Sequence, residues 1–270
     1  MYQKQATAQS GCPNTIFKKT ADMERKMETW YDGVHFSRSE TIKYSDCNPL
    51  NLAHLHMIMG LFSENAGDES QSQNHGYEYL VAHKQIFLVS RMSVRFNRAP
   101  GFGENIISST WLRSVEGTRF NRDYEARSED GELLASGTSS WVLYDPYECK
   151  VLRPEALSYP APKLDPRAAD CLPCKKIKLP ENLPVLGQRP IYYSDLDCNH
   201  HVNNAVYSKI AVDYLPEEYR DRGIVDFTIN FNRETRLGEV LEMRGAATET
   251  GFAIQGLSNG EAHFNCEFNY

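Results

Sequence analysis

The sequence predicts an α+β fold of two fused modules, each an antiparallel sheet wrapped around a central helix. Three observations predict it. Runs of alternating apolar and polar residues are separated by Asp-Gly-type turns. Two compact apolar segments carry helical spacing. Motifs from the first half recur in the second in the same order, two of them at an offset of 135 residues. A chain of 270 residues is long enough for two domains of ordinary size.

Taken in order, residues 1–34 are expected to be peripheral, 35–153 to form the first domain, 154–188 a linker and 189–270 the second domain. Strand-like residues begin at His35 and run to Tyr44. Asn48 suits a helix N-cap and Pro49 a first helical position, so the apolar segment 50–62 is expected to be a helix. Leu55, Ile58, Met59 and Phe62 follow the i, i+3, i+4, i+7 pattern, and Leu52, Met57 and Leu61 fill other faces, so this helix should be buried. The polar run 64–78 is expected to be an exposed loop. From Phe87 the period changes to two, and turns at Pro100-Gly101, Glu116-Gly117 and Asp130-Gly131 separate β-rich runs, which indicates a meander. Residues 154–190 hold eight of the 13 prolines, as a linker would.

The repeat is explicit. Tyr44-Ser45-Asp46 returns as Tyr193-Ser194-Asp195. Val94-Arg95-Phe96-Asn97-Arg98 returns as Ile229-Asn230-Phe231-Asn232-Arg233. Gly103-Glu104 returns as Gly238-Glu239, and Asp130-Gly131-Glu132 as Asn259-Gly260-Glu261. The copies differ most in the stretch before the second helix, where Asp197, Cys198, Asn199, His200 and His201 stand. The first copy has Asn48-Pro49-Leu50-Asn51-Leu52 in this region, and Ala99 where the second has Glu234. Asp197, Asn199 and His201 alternate, so an extended run would project them the same way. Helical spacing resumes near Asn203, a good N-cap, and a helix start supplies free N–H groups for a developing oxyanion. The second copy is therefore expected to do chemistry and the first to bind.

Composition narrows the class. The net charge of −7 argues against nucleic-acid binding. Seven scattered cysteines suit a reducing compartment better than a disulfide framework. No apolar run reaches the length of a membrane span, and the N-terminal residues lack the apolar core of a secretory signal, so a cytoplasmic protein is expected.

The run from Ser194 through Asp197, Asn199 and His201 to Tyr207 closely resembles the signature of acyl-acyl carrier protein thioesterases. Phe231-Asn232-Arg233-Glu234-Thr235 resembles a second stretch, whose plant counterpart usually reads Arg-Arg-Glu-Cys. Ser90-Arg91-Met92-Ser93-Val94, Pro100-Gly101-Phe102-Gly103-Glu104 and Ser139-Ser140-Trp141-Val142 add to it in the same order, so that the resemblance covers roughly residues 36–270. It implies a double hot dog fold and hydrolysis of the thioester between a fatty acyl chain and carrier-protein phosphopantetheine. It carries the catalytic roles to Asp197, Asn199, His201 and Glu234. Thr235 stands at the position often held by Cys, so water is the expected nucleophile.

Hydrolysis by water needs a base, an oxyanion stabiliser and a positioned acyl group. His201, with an ordinary imidazole pKa of about 6.5, suits the base, and Glu234 orients it or shares that duty. Asp197 would hold the loop or the second imidazole nitrogen. Asn199 would donate its amide, and backbone N–H groups near Asn203 and Asn204 would meet the oxyanion. Leu52, Leu55, Met59 and Trp141 are candidates to line an acyl slot, although most apolar residues of the first helix serve the core. Arg91, Arg95, Arg233 and Arg236 are candidates to dock an acidic carrier protein. No metal or redox cofactor is expected: a metal at His200-His201 would need Asp197 as third ligand on a short loop, and Cys171-x-x-Cys174 lacks the second pair of a zinc site. An acyl-CoA thioesterase and a non-catalytic acyl-binding protein are the rival readings. The fused repeat makes the chain a monomeric pseudo-dimer or a homodimer of such units.

Overall fold

A computed structural model describes residues 28–160, 162–180, 182–220 and 222–270. Most of the segment expected to be peripheral, residues 1–27, lies outside the described residues.

The first copy contains β1 (Thr29–Tyr31), β2 (Phe36–Thr41), α1 (Leu55–Ser72), α2 (Tyr77–Ala82), β3 (Ile86–Phe96), β4 (Asn105–Glu116), β5 (Arg119–Ser128), β6 (Leu133–Asp145) and the short β7 (Lys150–Val151). The second contains β8 (Val185–Pro190), α3 (Asn204–Asp213), α4 (Glu217–Arg220), β9 (Asp226–Phe231), β10 (Val240–Ala247), β11 (Gly251–Ser258) and β12 (Glu261–Asn269). The strands join in one antiparallel sheet in the order β1-β2-β4-β5-β6-β3-β9-β12-β11-β10-β8, with β7 paired to β6. The expected meander is therefore interrupted. β4, β5 and β6 follow one another, but β3 crosses to the far side of β6, and β9 does the same beside β12. That crossover puts β3 and β9 at the middle of the sheet, where they pair with each other. Ser93 pairs with Thr228, its own counterpart 135 residues on, and their hydroxyls lie 3.3 Å apart. A residue that pairs with its own copy marks a pseudo-two-fold axis, as in a C2 dimer interface.

Both helices lie on one face of this sheet. Phe62 of α1 stacks on Tyr124 of β5, and a Cβ at Gly137 of β6 would come within 2.9 Å of the Phe62 ring, so that position must be glycine. Tyr207 of α3 packs on Phe231 and Phe264. One core runs through both copies and includes Ile58, Met59, Ile210, Phe227 and Phe264. At about 25 cal/mol per Å² of apolar surface, burial of this kind drives the two copies together.

The first helix departs from expectation at both ends. Asn48 and Pro49 do not start it. Asn48 instead accepts from the N–H groups of Leu50 and Leu52 to shape a turn, and the helix begins at Leu55. At the other end α1 continues to Ser72, through residues whose polarity suggested an exposed loop. Asn65 and Glu69 in that stretch are buried, Asn65 donating to Ser108 Oγ at 2.7 Å and Glu69 accepting from Arg122. Their polar partners on the sheet replace the apolar contacts that periodicity detects.

The linker first passes the helix face, where the Ser158 carbonyl accepts from the Tyr79 hydroxyl, and from Asp165 onward crosses the other face of the sheet. The Arg167 carbonyl accepts from Trp111 Nε1 at 2.9 Å, and Ala169 N–H donates to Asp123 Oδ2 at 2.8 Å. Cys174 Sγ donates to the Thr138 carbonyl, and Ile177 N–H donates to Asn230 Oδ1 at 2.8 Å. The chain thus fastens itself through single hydrogen bonds rather than a ladder, a mode that its prolines permit. Cys171 and Cys174 are unbridged, and burial raises the pKa of both, Cys174 to about 11. Among the described residues no helix is long and apolar enough to cross a membrane.

Candidate active site

Asp197, Asn199 and His201 do not sit on an extended run. Leu196 and Val202 pair across a tight turn, in which Asp197 N–H donates to the His201 carbonyl at 2.9 Å and His200 N–H donates to the Asp197 carbonyl at 3.0 Å. Closing the turn requires a left-handed residue, and His200 takes that role with φ +62°. The Asp197 carboxylate accepts from Asn199 N–H at 2.8 Å, so it shapes the turn. After the turn Asn203 caps α3, its Oδ1 accepting from Ala205 N–H at 2.9 Å, as its residue type predicts.

The turn presents His201 to Glu234. Nε2 lies 3.0 Å from Glu234 Oε2, and Arg236 Nε holds the other carboxylate oxygen at 3.0 Å. Backbone pairing enforces the approach: His201 bridges to Arg236, and Val202 N–H donates to the Thr235 carbonyl at 2.8 Å. With Nε2 facing a carboxylate, a neutral imidazole carries its proton there and leaves Nδ1 as the acceptor. Asn199 points toward the first copy: its Oδ1 accepts from the Tyr77 hydroxyl, at the start of α2, at 3.0 Å. The Asn203 N–H is spent on the Asp195 carbonyl and cannot meet an oxyanion. The Asn204 N–H, at the first position of α3, has no partner among the described residues.

Beneath the turn lies a chain of buried polar groups. The Tyr207 hydroxyl donates to Thr235 Oγ1 at 2.9 Å, and Thr235 Oγ1 stands 2.8 Å from His263 Nδ1. Thr235 is 0% exposed, so its hydroxyl is sealed from any substrate. Burial pushes the Tyr207 phenol up to about 12. Tyr77 and His263 carry no sequence expectation, Arg236 is expected only as a docking residue, and Tyr207 only as part of the signature run. A signal existed for His263: it and Leu134 hold equivalent places, each offering its carbonyl to the Asn and Arg that end the same motif (Asn97 and Arg98, Asn232 and Arg233). A histidine in place of a core leucine is a difference between copies that the repeat makes visible.

A cavity of about 300 Å³ opens beside Tyr77 on the helix face of the first copy. Its wall is formed by the second half of α1 (Ser63, Ala66, Gly67), by Leu80 of α2 and by Phe120 and Trp141 of the sheet. Of the residues expected to line an acyl slot, Trp141 does so. Leu55 and Met59 belong to the common core, and Leu52 is 37% exposed, so none of these three lines it. The cavity follows the second half of α1, whose polarity suggested a loop.

The four arginines do not make one docking patch. Arg95 pairs with Asp226 and Asp170, and Arg91 reaches the linker carbonyl of Cys174, both on the linker side. Arg233 pairs with Glu261, and Arg236 with Glu234. Three of the four are matched by carboxylates and the set is split between two regions. Among the described residues no three His, Cys, Asp or Glu side chains gather to hold a metal ion.

Comparison with known proteins bears on the family and the fold. Two family models match in order: the acyl-ACP thioesterase N-terminal domain over residues 33–154 and the acyl-ACP thioesterase C-terminal domain over residues 186–269. A chloroplastic acyl-[acyl-carrier-protein] hydrolase of Cuphea viscosissima is 24% identical over 228 residues, covering 78% of this chain and 54% of its own length. The chain spans little more than half the length of such curated relatives. Among solved structures, an acyl-ACP thioesterase from Bacteroides thetaiotaomicron superposes with a TM-score of 0.73 at 19% identity, over 87% of this chain and 97% of that one. The 12:0-ACP thioesterase of Umbellularia californica gives a TM-score of 0.73 at 20% identity, over 87% and 96%. These structures share the fold, a double hot dog. With one domain model matched to each copy, in chain order, this chain belongs to the acyl-ACP thioesterase family.

Proposed function

We propose that this protein hydrolyses the thioester of a fatty acyl group carried on acyl carrier protein, releasing the free acid and the carrier thiol. The observation that carries the reading is the His201–Glu234 contact of 3.0 Å on the turn before α3, joined through Asn199 and Tyr77 to the mouth of an acyl-sized cavity. The first copy, with β1 before it and the start of the linker after it, binds the acyl chain, and the second, from β8 onward, carries the chemistry.

Glu234 takes the Nε2 proton side of His201 and fixes the tautomer. Nδ1 then removes a proton from water as the oxygen attacks the thioester carbonyl carbon. A base so positioned contributes about 10²- to 10⁴-fold. The tetrahedral oxyanion is received by the Asn204 N–H at the positive end of α3. The C–S bond breaks, and the departing thiolate recovers the proton from the imidazolium. Asn199, held by Tyr77, orients the thioester with its free amide hydrogens. Thr235 is sealed and takes no part as a nucleophile. Unbridged cysteines at 47, 149, 171, 174, 198 and 266 support action in a reducing compartment such as the cytoplasm. The β3–β9 seam supplies within one chain the pairing that single modules obtain by dimerisation, which supports a monomeric working unit.

The test is free-acid release from matched acyl-carrier-protein and acyl-CoA substrates by wild type and His201→Ala. Carrier-protein thioesters should turn over faster, and the variant should lose that turnover. Faster turnover of the CoA series would make the protein an acyl-CoA thioesterase. Acyl binding without release would make it a carrier of acyl chains, and unchanged turnover in the variant would remove His201 from the mechanism.

A further inference from the structure

The cavity beside Tyr77 has a charged wall. Arg122 of β5 and Glu69 of α1 both line it, 8% and 3% exposed. Arg122 Nη1 donates to Glu69 Oε2 and, at 3.2 Å, to Thr110 Oγ1. Those two bonds use one of the three guanidinium nitrogens and one of the two carboxylate oxygens. Nε and Nη2 of Arg122 and Oε1 of Glu69 have no protein partner among the described residues, and they are not among the polar atoms sealed from solvent without one. They are reached from the cavity. Tyr31, Ser70 and Tyr159 line the same cavity. Beside Arg122 on the same sheet face stand Phe87, Leu112, Phe120 and Trp141, which are apolar, Leu112 being its cross-strand partner.

An unsubstituted hydrocarbon chain fits the apolar part only. Pressed against the charged part, it would strip water from two guanidinium nitrogens and a carboxylate oxygen and return no hydrogen bond. Leaving such a buried group unsatisfied is costly, and more so when it is charged. A chain with an oxygen at that depth removes the cost, because a hydroxyl or keto oxygen accepts from the guanidinium and a hydroxyl also donates to Glu69. Sites built to hydrogen-bond a substrate oxygen reject the analogue that lacks it far more strongly than apolar pockets reject an extra group.

We propose that the Arg122–Glu69 pair is a specificity site, and that the preferred acyl chain carries a hydroxyl or keto oxygen part-way along its length. This rests on the thioesterase reading above, since it concerns which thioester is hydrolysed. The bland role for the pair is to pin the second half of α1 to β5, and the experiment separates the two.

Carrier-protein thioesters of one chain length are compared, one unsubstituted and a set with a hydroxyl or keto group walked carbon by carbon. For wild type, kcat/KM should favour one position of the oxygen over the plain chain by about tenfold or more, the factor that 1.4 kcal/mol supplies. The double variant Arg122→Met/Glu69→Leu removes both charges together, a change that buried pairs often tolerate. It should reverse the preference and leave the plain chain hydrolysed at least as fast as by wild type. Arg122→Lys keeps the charge but not the fork, so it should fold where the double variant fails and reduce the preference. A wild-type enzyme that favours the plain chain over every oxygenated one, or variants that keep the wild-type ratio, would leave the pair as a structural pin. Failure to hydrolyse any thioester would instead overturn the functional reading itself.

Discussion

The loops 47–53 and 196–202 have one backbone and two chemistries. In the first, Cys47 pairs with Ala53, Asn48 N–H donates to the Leu52 carbonyl, and Asn51 takes the left-handed conformation at φ +66°. In the second, Leu196 pairs with Val202, Asp197 N–H donates to the His201 carbonyl, and His200 is left-handed. Each docks on an equivalent segment: Ala53 N–H donates to the Pro100 carbonyl and Val202 N–H to that of Thr235, both at 2.8 Å. Glu104 and Glu239 hold the backbone N–H groups of Gly101 and Arg236. On this common frame Leu50 and Leu52 stand where Asn199 and His201 stand, and Ala99 where Glu234 stands. The frame places the groups; only the side chains distinguish the two loops. The same replacement runs inward: Ile58 and Leu134, both 0% exposed, occupy the places of Tyr207 and His263.

Making the second loop resemble the first should therefore remove chemistry without removing the fold. His201→Leu installs the residue of the first loop at a side chain that is already 30% exposed. It should lower kcat/KM about 10²- to 10⁴-fold with melting temperature nearly unchanged. A variant that keeps turnover within a few-fold would show that the loop difference is not the catalytic one. Glu234→Ala, the matching change on the facing segment, should lower kcat by about tenfold to a hundredfold with little effect on KM. The double variant should be no worse than His201→Leu alone, because the two act as a unit. Multiplicative losses in that cycle would mean that Glu234 works independently of the imidazole.

Changes to the buried chain should read out on stability first. His263→Leu with Tyr207→Phe restores the apolar pattern of the first copy and should cost about 1–3 kcal/mol through the Thr235 hydroxyl left without partners. Thr235→Ala should keep most activity, because its carbonyl, and not its hydroxyl, holds Val202. Chemical denaturation beside steady-state kinetics checks both; an activity loss in Thr235→Ala equal to that of His201→Leu would bring the hydroxyl into the mechanism. Tyr77→Phe removes one hydrogen bond between the copies, for which about 0.5–1.5 kcal/mol is typical, and should raise KM several-fold at nearly constant kcat.

What the sequence made readable follows the range of the interactions. The N-cap at Asn203 is local chemistry, and so is the left turn at each Gly and Asn of the hairpins. The repeat was readable because fusion preserved the order of the motifs, and the family resemblance supplied Glu234 as the partner of His201. Three features were not. The second half of α1 is held by Asn65 and Glu69 through polar partners on β4 and β5, so hydrophobic period is blind to it. The turn at Asp197–His201 depends on its docking to the Thr235–Arg236 segment, which no window of adjacent residues contains. Tyr77 meets Asn199 across 122 residues, a contact that only the pseudo-two-fold packing creates.

The copies also differ where the linker touches them, and this should give the smallest effect. His35, just before β2, is bonded through Nδ1 to Asp32 at 3.0 Å and through Nε2 to Asp165 of the linker at 2.9 Å; Pro184 leads into β8 at the corresponding place in the second copy. Burial works against the charged imidazole, but the two carboxylates outweigh it and raise the His35 pKa above its ordinary value. Hydrogen bonds from the His35 backbone and ring, with that of Val34, lower Asp32 to about 2, and those from the Arg167 backbone and the His35 ring lower Asp165. A raised histidine stabilises the fold fully below its unfolded pKa of about 6.5 and loses that contribution as pH rises through the higher folded value. Depressed carboxylates stabilise fully above about 3.9 and lose it as pH falls through their folded values. The clip is thus strongest between about pH 4 and 6.5 and loosens on the alkaline side first. Amide exchange in residues 164–168, corrected for its intrinsic pH dependence, should rise from pH 6 to pH 9 in wild type. In His35→Gln it should be faster at pH 6 and show no further rise. An equal pH response in both proteins would mean that the linker is held by the cation–π contact of Arg167 on Trp111 and not by the imidazolium.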